Sequence, residues 1–180
     1  NIYDGKQKVG GWFRIGNRVN EGHAEVSICL YLPDGKVGFM YHRAQITSNA
    51  EHSAGGARFE IVEPFKRQRV TYSGKVAVLA NPNDMLNPAK AFKENPILDC
   101  EVELDYSGLS PMYGGEHLND DGSPIELDTK TAMARAHFEQ HVAAHGRIRV
   151  GEQSWQIDGL GLRDHSWGPR FWQNIYFYRL

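Results

Sequence analysis

From Gly22 to Leu32 the chain alternates with a period of two. Ala24, Val26, Ile28 and Leu30 share one face; Glu25, Ser27, Cys29 and Tyr31 share the other. Successive side chains of a strand point to opposite sides, so this pattern makes a strand with one face on a core. Pro33-Asp34-Gly35 then turns the chain, and Lys36 to Arg43 returns as the second arm of a hairpin. The same grammar recurs along the whole length. Val9 to Asn17 reads as a strand, and so does Ala57 to Val62, opened by Gly55-Gly56 and broken at Pro64. Gln68 to Tyr72 and Lys75 to Leu79 flank Ser73-Gly74 as an expected tight hairpin. Ile97 to Tyr106 and Ser154 to Leu162 complete the clear cases.

His137 to Val150 is open to two readings, because Ala143-Ala144 suits a helix. Phe138, Val142, Ala144, Ile148 and Val150 share one parity, however, which favours a strand. Only Ala89 to Lys93 and Thr131 to Ala136 read as short helical turns. The count comes to about nine strands with almost no helix, and no internal repeat is present. The expected fold is all-β: an antiparallel barrel or strongly curled sheet, since closure removes exposed edges. One domain over residues 1–180 is expected, with loops at 81–96 and 107–130.

Composition narrows the function classes. The net charge is −2, so no basic field draws in nucleic acid. No run of about 18 apolar residues exists to span a bilayer. Cys29 and Cys100 lie far apart without metal-ligand spacing and read as small buried hydrophobes. The chain begins at Asn1 without a signal-like segment and ends on the aromatic run Trp172 to Leu180. That pattern suggests a cytoplasmic piece of a longer chain, whose last strand pairs with something.

The densest chemistry lies in Gly159-Leu160-Gly161-Leu162-Arg163-Asp164-His165-Ser166-Trp167-Gly168-Pro169-Arg170. An acid, an imidazole, a hydroxyl, an indole and two guanidiniums are bracketed by glycines and a proline, which suits a site wall. Asp164, His165 and Ser166 hold the residue types of a hydrolase triad, but three adjacent residues cannot converge as one. Asp164 or His165 as a general acid/base is the candidate catalytic role; pairing of Asp164 with Arg163 or Arg170 is the structural alternative.

His137, Glu139, His141 and His145 share one strand face. A His-x-Glu-x-His run suits a divalent ion, yet a solvated outer face explains it equally well, so no metal is expected. Gln140 sits on the opposite parity among Phe138, Val142 and Ala144, and a lone amide there needs partners or a ligand. Trp12, Trp155, Trp167 and Trp172 supply aromatic surface for a small-molecule cavity. Arg14 belongs to a polar cluster with Asn17, Arg18, Asn20 and Glu21 at a strand end.

Gly159 to Arg170, His137-Phe138-Glu139-Gln140-His141 and Gly10-Gly11-Trp12-Phe13-Arg14-Ile15-Gly16-Asn17 together carry a resemblance. With these segments the chain resembles a lipocalin-like family of uncharacterised bacterial proteins, similar to the carotenoid 1,2-hydratase (hydroxyneurosporene synthase) group. The resemblance implies two lipocalin-like barrel halves holding a hydrophobic ligand, of which this sequence offers about one. A second barrel domain or a homodimer is therefore an expected partner. It also implies an isoprenoid, steroid or polyketide-like ligand, and lyase- or isomerase-type chemistry (hydration or cyclisation) without a redox cofactor. In that reading Asp164 or His165 donates the proton and Arg163 tunes it. Trp12, Arg14, Phe138, Glu139, Gln140, His141, Trp167 and Trp172 contribute to the ligand site. Two other readings stay open: a non-catalytic carrier or sensor, and a structural half-domain that docks a second barrel.

Overall fold

The computed structural model describes residues 1–128 and 134–169. Eleven strands form one antiparallel sheet that curls into a ring. In chain order they are β1 (Ile2–Asp4), β2 (Val9–Arg18), β3 (His23–Tyr31), β4 (Val37–Gln45), β5 (His52–Ala54), β6 (Ala57–Glu63), β7 (Arg67–Leu79), β8 (Ile97–Gly108), β9 (Tyr113–Glu116), β10 (Ala136–Val150) and β11 (Gln153–Trp167). Neighbours run β4-β3-β2-β1-β11-β10-β8-β7-β6-β5, with β9 added beside β10. The ring is all-β as expected but is not a regular barrel. It closes through β4 and β7 at three residue pairs only: Val37 with Leu79, Gly38 with Val78, and Phe39 with Ala77.

Beyond that short seam β4 and β7 part. β7 turns to β6, pairing Tyr72 with Ala57 and Arg67 with Glu63, and β5 follows β6. One end of the ring is therefore zipped and the other open, with the β5–β6 hairpin set into the gap. Helix α1 (Pro88–Glu94) lies at the zipped end, where Ala91 and Phe92 pack with Phe39, Ala77 and Leu79. Its cap is Asn87, whose side chain accepts from the Lys90 amide, and Pro88 opens the first turn.

The interior is built from the inward parity of each strand. Val26, Ile28, Leu30, Val102, Leu104 and Ile148 are each at most 1 % exposed and belong to one cluster. A fully buried Leu or Ile contributes roughly 1.5–3 kcal/mol of transfer free energy, so these side chains hold the curl. They occupy the space that a barrel-shaped ligand cavity would need at the ring's centre.

Three local expectations change. Ser73-Gly74 is not a hairpin turn but the middle of the single long strand β7. Gly74 is bare because the Tyr72 ring lies over it, and the Tyr72 hydroxyl donates to the Lys75 carbonyl at 2.8 Å. The segment 107–130 contains β9, and Thr131 to Ala136 lies partly outside the described residues, with Ala136 already in β10. His137 to Val150 is strand, as its parity requires.

Strand β1 was not legible in the sequence. Its Asp4 is 2 % exposed and accepts from the amides of Lys6, Gln7 and Asp158 at 2.9, 3.0 and 2.9 Å. The amide of Gln7, then that of Asp158, holds this carboxyl below its usual range. Asp4 thereby pins β1 to β11. Gly159 allows the approach, since a Cβ there would stand 2.6 Å from the Tyr3 carbonyl oxygen. The motif's first glycine thus serves strand packing.

Candidate functional site at the open end of the ring

The chemistry-bearing motif lies in the last third of β11, paired with the start of β10. Their register sets Ala136 opposite Trp167, Phe138 opposite His165, Glu139 opposite Asp164, and Gln140 opposite Arg163. Directly opposed residues share a face. Phe138, Gln140, Arg163, His165 and Trp167 therefore face inward at the open end. Glu139, His141 and Asp164 face outward. Asp164 and His165, neighbours in sequence, are separated by the thickness of the sheet.

The inward group is tightly organised. His165 stands 5.4 Å from the Phe138 ring, 5.5 Å from Trp167 and 5.5 Å from His52, the last at a right angle. Phe65 meets Phe138 edge-on at 5.6 Å. The Arg163 guanidinium lies over both phenyl rings, 5.1 Å from Phe138 and 5.6 Å from Phe65. Such cation–π contacts contribute roughly 0.5–2 kcal/mol each. No carboxylate among the described residues pairs with Arg163. Burial alone lowers its pKa from the ordinary arginine value. His165 is lowered too, by burial first and then by His52 and Arg163, with Asp164 opposing. Its imidazole is consequently neutral at pH 7.

Gln140 explains how the aromatic wall is held. It is 4 % exposed, and its amide nitrogen donates to the carbonyls of Phe65 at 2.7 Å and Ser110 at 2.9 Å. Phe65 sits at φ 61°, a left-handed conformation that costs a bulky residue roughly 1–3 kcal/mol. The Gln140 amide and the stacked Arg163 hold it there. Beneath them the Tyr106 hydroxyl is buried and has no hydrogen-bond partner among the described residues. Burial drives its pKa far above the usual phenol range. The space between Tyr106, Gln140 and Arg163 is about 10 Å³, room for a single oxygen atom or water.

The outward side differs. The His137 ring reaches Glu139 at 3.5 Å and Asp164 at 3.8 Å. His141 is exposed, and His145 pairs with Asp158 at 3.0 Å. Trp12 also lies outside the ring, hydrogen-bonded to Cys29, whose thiol burial pushes up to about 11. Cys29 and Cys100 are both free and buried. Arg14 is bound to Glu25 at 3.5 Å, and Glu25 also takes Arg18, Arg43 and Tyr41. Burial would raise the Glu25 carboxyl, but Arg18, Tyr41 and Arg14 together hold it below its usual range. Trp12 and Arg14 thus belong to a separate outer network. Arg170 and Trp172 lie outside the described residues.

Phe65, His52 and Tyr106 are the members of the inward group that the sequence did not single out. Phe65 follows the strand-breaking Pro64, which hints at an unusual turn. His52 and Tyr106 reach the site through pairing across the ring, which no local signal encodes.

No helix among the described residues is long and apolar enough to cross a membrane. No curated protein and no solved structure matches the chain. One family model does, over residues 1–180, and it is a domain of unknown function. The chain accordingly belongs to the DUF7064 family.

Proposed function

We propose that this protein binds a small, mostly apolar molecule at the open end of its β ring, with an acidic or carbonyl oxygen of the ligand on Arg163. The observation that carries this reading is the inward guanidinium itself: half-buried, stacked on Phe65 and Phe138, and paired with no carboxylate among the described residues. A desolvated cation without an anion is costly unless something completes it. The phenyl rings, Trp167 and the neutral His165 give an apolar body a wall to lie against, and the Tyr106 hydroxyl and Gln140 border the polar floor. Because core side chains fill the ring's centre, a ligand of this kind docks at the mouth with its tail toward the β5–β6 hairpin. The sequence resemblance to the carotenoid 1,2-hydratase group suits an isoprenoid, steroid or polyketide-like acid or ketone, although no curated relative carries that link.

Carrier and catalyst share this geometry, and the neutral His165 favours the carrier. Hydration or cyclisation started by a proton needs a protonated donor, and His165 holds its proton poorly at pH 7. A catalytic version of the reading uses His165 as a base or hydrogen-bond acceptor. Asp164, across the sheet, takes no direct part. Native mass spectrometry of protein purified from cells, followed by titration of the identified ligand, tests the reading. Retention by the wild type and loss in Arg163→Met is expected. Equal retention by Arg163→Met overturns it. If turnover of the retained ligand is found, it falls in His165→Phe and survives in Asp164→Asn; the opposite result excludes the inward site as the catalytic one.

A further inference from the structure

The outer face of the sheet is laced with opposite charges set across strands. Arg69 pairs Asp105, Lys75 pairs Asp99, Arg149 and Arg147 pair Glu101, and His145 pairs Asp158. One place departs from this rule. Glu139 on β10 and Asp164 on β11 are directly opposed in register, and no lysine or arginine side chain among the described residues pairs with either. Like charges facing each other across two strands destabilise a sheet. The group that joins them is an imidazole, His137, two residues from Glu139 on the same face.

We propose that His137, Glu139 and Asp164 form a surface site for a divalent first-row transition cation, with Zn²⁺ as its natural probe. One nitrogen and two carboxylate oxygens from these residues lie within 4.8 Å of one another. Donor atoms around a tetrahedral zinc stand about 3.4 Å apart, given metal–ligand bonds of about 2.1 Å. Small rotations of three half-exposed side chains close that difference without moving the backbone. The frame beneath them is rigid, since β10 and β11 pair without a break from Ala136–Trp167 to Val150–Gln153. Approach is open as well: the residue beside His137 on β9 is Gly115, which has no side chain to cover the ring. An imidazole with two carboxylates suits zinc or manganese better than magnesium, which prefers an all-oxygen shell that keeps its waters. The cation would neutralise the two facing carboxylates and cross-link β10 to β11 on the side opposite Arg163. The site is independent of the ligand proposed at the ring's mouth.

Isothermal titration calorimetry of the whole chain with Zn²⁺ in a non-chelating buffer tests this, with circular dichroism to check that each variant is folded. One saturable site is expected. Its affinity falls more than about tenfold in each of His137→Ala, Glu139→Gln and Asp164→Asn, since even an outer-shell partner is typically worth that much. His145→Ala, on the same face but outside the trio, and Arg163→Met, on the other face, leave it unchanged. Absence of a saturable site overturns the proposal. So does binding that survives in all three trio variants, or that Mg²⁺ matches at equal concentration.

Discussion

The two faces of one short ribbon, where β10 begins and β11 ends, make opposite electrostatic arrangements from interleaved residues. On the inner face, at Phe138, Gln140, Arg163 and His165, a cation lies on aromatic rings and pairs with no carboxylate among the described residues. On the outer face, at Glu139 and Asp164, two anions oppose each other, joined by the His137 imidazole, with the Asn1 amino group also acting on Asp164. Elsewhere on the outer face such charges meet their complements. The contrast shows that a strand can carry two unrelated chemistries at one level because its side chains alternate. The inner charge is half-buried against rings, and the outer ones face solvent.

The sharpest way to break the comparison is Gln140→Leu. It strips the carbonyls of Phe65 and Ser110 of their donor, and each unsatisfied buried group costs about 1–3 kcal/mol. A loss of about 2–4 kcal/mol in urea unfolding is expected, with relaxation of the Phe65 turn. Arg163→Met comes next: it removes a charged hydrogen-bond donor worth about 1.5–3 kcal/mol, so ligand affinity falls roughly ten- to a hundredfold, and losing its contacts with the Phe65 and Phe138 rings lowers stability by about 1–2 kcal/mol. A titration then separates the faces by pH. His165 is lowered in the folded state, so the unfolded chain takes its proton first. Stability is full above the ordinary histidine value of 6.5 and declines as pH falls through the folded value. His165→Phe flattens that part of the stability–pH curve; an unaltered curve would put His165 in solvent. The smallest effect belongs outside. Glu139→Gln relieves a like-charge contact on a wet face, and its unfolding free energy stays within about 0.5 kcal/mol of the wild type. A larger loss would mean that the outer face is structurally coupled to the core.

Much of this was written in the local pattern. The parity of Phe138, Val142, Ala144, Ile148 and Val150 made β10 a strand despite its alanines, and the same parity singled out Gln140 as an amide on an apolar face. What it needed partners for, the Phe65 and Ser110 carbonyls, lay 75 and 30 residues away and had no local trace. Gly74 misled because a glycine after serine looks like a turn, whereas here it makes room for the ring of Tyr72. Asp164 and His165 stood in the sequence as alternatives for one acid–base role. Strand geometry had already assigned the two to opposite sides, and only the register with β10 says which side is which. Asp4 and β1 escaped notice because three residues are too few to show a period.

The shortness of the β4–β7 seam has a mechanical consequence. Fifteen-residue strands such as β10 and β11 are fastened along their full length, whereas the clasp that makes the sheet a cylinder is a few amides near Gly38 and Val78. A cuff fastened so briefly springs at its clasp before its fabric tears, so proton exchange at Phe39 and Ala77 outruns that in the middle of β10. The molecule can then gape on the side where the β5–β6 hairpin is lodged, widening its mouth without unfolding its back.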